Sequence, residues 1–405
     1  MVGGFRGPTS KFAPWFLLKI LFIYYGGTVN LMKSFLIVAS YSDSLLKFRG
    51  ALIDALLFQG MVVHVAAPNL SSDSTIGQAL LEKGVILHEI FLSRTGMNPA
   101  ADVRTFISLL RLVRRVKPTR VLAYTIKPVI YGLLAARLGR VSQRNALITG
   151  LGYAFQGDEK RSRSKVRMLV QKLYGFALRG ADRVFFQNPD DEALFRSLGI
   201  LKVGTSSCVV NGSGIAVDQF TIAPLPSQPR FLLIARLLGD KGVREYAEAA
   251  RQINTRHPEA VFQLVGWLDE NPDSISQAEL DGWAASGAID YLGKLDDVRP
   301  AIEDCSVYVL PSYREGTPRT VLEAMAMGRP IVTTDAPGCR ETVVDGDNGF
   351  LVPVKSVEAL VAAMERFILE PELAAQMGQR SREIAVEKYD VHKVNAVMLK
   401  EMGIA

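Results

Sequence analysis

The sequence predicts an α/β protein of two doubly wound domains facing each other across a cleft. Short, nearly continuous apolar runs alternate with helical patterns, as in parallel sheets covered on both faces. The alternation occurs twice, on either side of a proline-rich stretch, TIAPLPSQPR at 221–230, that reads as a linker. In the first half, strands are expected at 34–39, 61–66, 84–90, 120–124, 146–149 and 183–187. A polar turn, Ser40 to Ser44, and a helical pattern through Leu52, Leu56 and Leu57 follow the first of these, and Gly60 stops the helix. In the second half, strands are expected at 231–235, 260–265, 289–291, 306–310 and 330–334, with a helix over 243–256. The last stretch, 371–401, reads as wholly helical. The expected organisation is a leader at 1–31, domains at 32–221 and 222–385, and a terminal helix at 386–405 packing back on the first domain. Open parallel sheets bind ligands beyond the C-terminal ends of their strands, so the facing edges are the expected site.

Composition narrows the chemistry. The chain has 405 residues, 48% of them apolar, and 47 basic against 41 acidic side chains. That suits folded domains and excludes wholesale disorder. Three scattered cysteines (Cys208, Cys305, Cys339) and four histidines without metal-ligand spacing speak against a disulfide scaffold, a structural zinc site or histidine-based metal chemistry. The charge is uneven: residues 33–220 hold 25 basic and 13 acidic side chains, and 221–405 hold 19 and 28. Only the first half is therefore expected to face an anionic partner. Lys160, Arg161, Arg163, Lys165, Arg167 and Lys172 interleave with Met168, Leu169, Val170 and Leu173, and Arg111, Arg114, Arg115, Lys117 and Arg120 form a second cluster. Such stretches fit an anionic membrane or a solvated helix face. Nucleic acid fits less well, because no aromatic-rich reader motif accompanies them.

Within the leader, 15–25 is apolar but broken by Lys19, too short for a spanning helix and without a small-residue cleavage site. Two readings stand: an upstream extension with translation starting at Met32, or an interfacial anchor.

The segment SVYVLPSYREGTPRTVLEAMAMG, 306–328, is the most informative. A buried strand ends at Pro311, a polar loop carries Glu315, and Thr317-Pro318 has the chemistry of an N-cap followed by a first-turn proline. The helix places Glu323 inside it and stops at Gly328. Backbone N–H groups from Gly316 to Thr320 would offer an anion site. Arg236 and Lys241 follow the 231–235 strand in ARLLGDKG, where Gly239 and Gly242 allow a tight turn. A guanidinium and an ammonium beside a helix N-terminus suit a diphosphate. Asp345-Gly346-Asp347 has the form of a metal-binding DxD but lies in a Gly/Asn-rich turn, where aspartate is favoured for backbone hydrogen bonding. Gly150-x-Gly152 lacks the third glycine of a dinucleotide fingerprint and is expected to let the chain pass close to a ligand.

Glu315-x7-Glu323 preceded by Arg236-x4-Lys241-Gly242 resembles the retaining glycosyltransferases of family 4, which have the two-domain GT-B architecture. Asn211-Gly212-Ser213-Gly214-Ile215, Pro337-Gly338-Cys339-Arg340-Glu341 and the run from Asp345 to Pro353 extend the likeness. Phe48-Arg49, the run from Tyr124 to Gly132 and that from Thr149 to Phe155 are similar to a bacterial subgroup. Its members add hexose or N-acetylhexosamine to polyprenyl-diphosphate-linked sugars for capsule, O-antigen or protein glycosylation.

The resemblance implies an acceptor-binding first domain and a second domain that binds a UDP-sugar donor. Arg236 and Lys241 would hold the donor diphosphate, with Gly316, Thr317, Pro318 and Arg319 around it. Glu323 would meet the ribose, Val298 would flank the base, and Glu315 would contact the transferred sugar. Arg49, Lys127, Gly150 and Gly152 would lie on the acceptor or donor-sugar side. Neither cofactor nor metal is implied. Many relatives carry a histidine after the strand that here ends at Tyr124, where this chain has Thr125 and Lys127, and a glycine pair where it has Ser40 to Ser44. The expected place is the inner face of the plasma membrane, with Lys160, Arg161, Arg163, Lys165 and Arg167 against it. A UDP-sugar 2-epimerase of the same architecture and a non-catalytic nucleotide-sugar or membrane-binding module are the alternative readings.

Overall fold

A computed structural model describes residues 33–93, 98–151, 161–269, 271 and 273–404, with only the backbone described for 161–166. The leader at 1–31, Gly152 and Lys160 lie outside the described residues, as do the side chains of Arg161, Arg163 and Lys165.

The first domain alternates β1 (Ser34–Val38), α1 (Asp43–Phe58), β2 (Val62–Ala67), α2 (Thr75–Glu82), β3 (Ile86–Glu89), α3 (Pro99–Val116), β4 (Arg120–Tyr124), α4 (Leu133–Leu138), β5 (Gln143–Ile148), α5 (Arg161–Leu178), β6 (Arg183–Phe186), α6 (Pro189–Ser197) and β7 (Ser207–Val209). The second contains β8 (Arg230–Ile234), α7 (Val243–Arg256), β9 (Val261–Val265), α8 (Gln277–Ala285), β10 (Asp290–Gly293), α9 (Arg299–Glu303), β11 (Val307–Leu310), α10 (Arg319–Ala326), β12 (Ile331–Thr334) and β13 (Gly349–Val352). Helices α11 (Val357–Leu369), α12 (Glu372–Lys388) and α13 (Val391–Glu401) complete the chain.

Both sheets are parallel, in the orders β3-β2-β1-β4-β5-β6-β7 and β10-β9-β8-β11-β12-β13. The strands are buried because helices cover both faces: Phe35 to Val38 and Phe231 to Leu233 are almost inaccessible. Each sheet reverses its winding once, between β1 and β4 in the first and between β8 and β11 in the second. Such switch points open the crevice that α/β proteins use for ligands.

The 371–401 stretch is not one helix. It breaks at Tyr389-Asp390, where Asp390 caps α13 through the His392 and Lys393 N–H groups, and Ile215 pairs with the backbone on both sides of the break. The chain thereby returns to the first domain: Val394, Met398, Leu399 and Met402 join a core containing Phe35, Ile37, Leu52 and Tyr124. Arg120 belongs to this junction rather than to a surface cluster. It is buried and donates to the Met402 and Gly403 carbonyls. The linker is fastened by Arg329, fully buried, whose guanidinium donates to the carbonyls of Ala223, Pro224, Ile302 and Glu303.

Candidate active site

The candidate residues of the second domain converge at its switch point because they follow the two adjacent strands there. Arg236 and Lys241 come after β8, and Glu315 after β11. A short 3₁₀ turn carries Lys241 back, and Gly242, at φ +71°, packs so closely on Pro311 that a Cβ would lie 2.2 Å from its carbonyl oxygen. Only glycine fits there. Lys241 Nζ donates to Glu315 Oε1 at 2.6 Å, and Ser312 Oγ donates to the same oxygen at 2.8 Å. Burial alone would lower the Lys241 ammonium, but Glu315 outweighs it and holds the group above the ordinary lysine range. The cation is therefore fixed and charged.

Arg236 faces the same region, since its charge acts against Lys241, and Nη1 donates to Asp269 at 3.1 Å. Its side chain remains 41% exposed and so open to a ligand. Asp269 carries no motif that would reveal it in the sequence.

Helix α10 starts one residue later than expected. Pro318 occupies the cap position, no side chain caps the helix, and Thr317 donates instead to the carbonyls of Gln187 and Gly316. The carbonyl of a first-domain loop thus takes the hydroxyl that would have capped α10. The N-terminus of this helix keeps its partial positive charge without a neutralising side chain. In its first turns Arg319 pairs with Glu323, Nε to Oε1 at 2.9 Å. Glu323 is 8% exposed, and burial raises its pKa against the pull of Arg319. Asp297 acts on Glu323 as well, which places the loop leading to Val298 beside it.

The first domain closes over this loop. Gly316 sits where a Cβ would meet Thr149 O at 2.5 Å and Gln187 Oε1 at 2.6 Å, and Gly150 approaches the Gly316 N–H. Asn188 Nδ2 donates to Gly316 O at 2.9 Å. Arg314 donates to Asp191, Arg340 donates to Asp190 at 3.0 Å, and Arg319 donates to the Lys47 carbonyl. These pairings were missed in the sequence because each joins residues more than a hundred positions apart without a shared motif.

Arg49 lies at the first domain's own switch point, 2% exposed, its guanidinium 5.1 Å from the Tyr124 ring centre. Lys127 does not turn toward the second domain: it pairs with Asp102 of α3 at 2.9 Å, both side chains largely buried. Thr125 adopts φ +69°, strained for a β-branched residue, and donates to Ser40 Oγ. Asp345 accepts from the Leu351 N–H within the turn, and Asp347 pairs with Arg380 of α12, so both aspartates have partners inside the second domain. Among the described residues no cluster of three or more His, Cys, Asp or Glu is placed to hold a metal ion.

Residues 36–188 match the family described as "Glycosyl transferase 4-like", and residues 228–370 match "Glycosyl transferases group 1". The chain is 30% identical over 373 residues to N,N'-diacetylbacillosaminyl-diphospho-undecaprenol alpha-1,3-N-acetylgalactosaminyltransferase of Campylobacter jejuni, covering 88% of this chain and 95% of that one. It is 25% identical over 307 residues to UDP-Gal:alpha-D-GlcNAc-diphosphoundecaprenol alpha-1,3-galactosyltransferase of Escherichia coli, covering 72% and 77%. In structure it resembles sucrose-phosphate synthase of Thermosynechococcus elongatus, with a TM-score of 0.76 at 19% identity, covering 91% and 98%. Two Rossmann-like sheets with facing switch points, the Lys241–Glu315 pair between them and these matches along nearly the whole described chain lead to one conclusion: the chain belongs to the family 4 glycosyltransferases of GT-B architecture.

Proposed function

We propose that this enzyme is a retaining glycosyltransferase that moves a hexose or N-acetylhexosamine from a UDP-sugar to a polyprenyl-diphosphate-linked saccharide. The observation that carries the reading is the largely buried Lys241–Glu315 pair beside the uncapped start of α10. Breaking the bond between sugar and nucleotide builds negative charge on the departing diphosphate. Arg236, Lys241 and the α10 N–H groups are held in place before that charge appears, so they stabilise the transition state without reorganising. These groups supply the charge that a divalent ion provides in other designs, and the reaction is proposed to be independent of metal. Lys241 fixes Glu315 on the side where the sugar would lie, and Glu323 would take the ribose hydroxyls. The departing phosphate oxygen would accept the proton of the acceptor hydroxyl on the same face of the sugar, which preserves the configuration at the anomeric carbon. The two bacterial relatives support the acceptor class, and UDP-Gal as the donor named for the galactosyltransferase supports UDP.

The acceptor class also calls for a membrane-facing surface, which we place on α3. Among the described residues no helix is long and apolar enough to cross a membrane. Between the end of β3 and α3 lies a groove of about 600 Å³ lined by Ile90, Phe91, Val103, Ile107 and the arginines 104, 111 and 115. Exposed Val103 and Ile107 beside these cations suit the headgroup region of an anionic bilayer.

Purified enzyme given a UDP-sugar and a short-chain polyprenyl-diphosphate saccharide is expected to release UDP only when both are present, in EDTA as well as in magnesium. Lys241→Ala should lower kcat/KM about 100-fold or more. Sugar interconversion without acceptor would instead identify an epimerase, and a Lys241→Ala variant of full activity would remove the catalytic role of the pair.

A further inference from the structure

Arg49 is the buried charge that the Lys241–Glu315 chemistry does not explain. It stands in the second turn of α1 on the same face as Leu45, Leu52 and Ile53, yet carries a guanidinium instead of an alkyl group. Among the described residues it has no carboxylate partner, and its Nε is buried without a hydrogen bond. The neighbour beneath it, Tyr124, does not neutralise it. Ser44 gives its hydroxyl proton to the Tyr41 carbonyl, so the tyrosine donates to Ser44 Oγ at 2.6 Å, and burial raises its pKa to about 12, which keeps the phenol uncharged. Across the cleft the adjacent charged group is Arg319, another cation, which with burial lowers Arg49 to about 10. Arg49 is therefore charged at neutral pH, desolvated and faced by a like charge. An uncompensated buried ion of this kind destabilises the free protein, and a bound anion removes the penalty.

Its position says where that anion would lie. Arg49 packs on the last residue of β4 beside the β1–α1 connection, at the first domain's switch point. The second turn of α1 itself meets the start of α10, since Arg319 donates to Lys47 O and stacks near Phe48. Two switch points, each with a cation, thus lie on either side of one interdomain contact.

Building on the function proposed above, we infer that Arg49 binds a phosphate of a diphosphate-bearing ligand from the first-domain wall of the cleft, opposite the Lys241 site. A planar guanidinium resting on an aromatic ring can present its free edge to two phosphate oxygens. The diphosphate could belong to the nucleotide or to the lipid-linked acceptor, and one experiment separates the two.

Full-length wild type, Arg49→Gln and Arg49→Lys are compared in three measurements: melting temperature without ligand, UDP affinity by titration calorimetry, and KM and kcat for a short-chain polyprenyl-diphosphate saccharide. Arg49→Gln is expected to melt no lower than wild type, because it removes an unpaired buried charge, and to lose about tenfold or more in one binding arm. Weaker UDP binding assigns the nucleotide diphosphate. A raised acceptor KM with UDP affinity intact assigns the acceptor's diphosphate. Arg49→Lys, which keeps the charge without the fork, should fall between. Both arms within twofold of wild type overturn the inference. So does an Arg49→Gln variant that melts several degrees lower while Arg49→Lys restores melting without binding, since Arg49 would then be structural. Failure of the transferase reading is separate, showing as no acceptor-dependent UDP release by wild type.

Discussion

Asp191 has no exposure to water and relies on one cation, Arg314, reaching across from the second domain. Its Oδ2 has no hydrogen-bond partner, and burial raises its pKa despite the pull of Arg314 and Asn188. Removing Arg314 strands a carboxylate in the domain junction. Arg314→Ala is expected to cost about 3 kcal/mol, the lower end for breaking a buried pair, because Arg314 keeps some contact with water. The sign of the pH dependence follows from the raised pKa. A folded carboxyl that holds its proton longer than the unfolded one loses stability as pH rises above the unfolded value. The deficit of Arg314→Ala should therefore shrink between pH 7 and pH 5. Urea melts at the two pH values, with Arg314→Lys as the charge-preserving control, read this directly, and an equal deficit at both would show that Asp191 is not the cause.

Elements were the most legible level. Apolar runs bounded by turn residues identify β8 and β11, and the residues immediately after them, Arg236, Lys241 and Glu315, become neighbours because the two strands are adjacent in the sheet. What linear patterning does not contain is competition from a distant surface. Thr317 has the chemistry of a helix cap, but the Gln187 carbonyl takes its hydroxyl. Lys127 looks free in the sequence, but Asp102 on α3 holds it. Aspartate at 390 caps a new helix, which periodicity across 371–401 conceals. Helix α3 shows the opposite case, where exposure adds meaning to a basic run. Arg104 stacks on Phe91 at 3.9 Å, Arg111 and Arg115 line the same groove, and Val103 is 57% exposed. Each cation near an anionic bilayer adds about 1 kcal/mol. Replacing Arg104, Arg111 and Arg115 by Gln should thus lower partitioning onto phosphatidylserine-containing vesicles by about tenfold or more at low salt, with little change on neutral vesicles. Undiminished sedimentation of the triple variant would remove α3 from the membrane contact.

At the scale of the whole molecule the chain crosses between the domains twice, through the 221–230 linker and again at Tyr389-Asp390, which pairs with Ile215 in the segment leading to the linker. The second crossing delivers α13 to the first domain, and Arg183 pairs with Glu401 while Arg120 holds the carbonyls beyond it. The nucleotide-proposed half therefore ends inside the core of the acceptor-proposed half. Loss of packing there should damage one domain and spare the residues around Lys241. Met398 is fully buried in that core, so Met398→Ala is expected to lower stability by about 2–5 kcal/mol. Acceptor KM should rise with temperature well before the wild type does, because α1 of the acceptor-proposed domain packs on α13. UDP affinity at 15 °C should stay within about twofold of wild type, since distant, independent sites add. Calorimetric melting combined with UDP titration checks both halves of the statement. A Met398→Ala variant whose UDP affinity falls in step with its melting temperature would mean that the two domains form a single cooperative unit, with the α13 crossing as the coupling element.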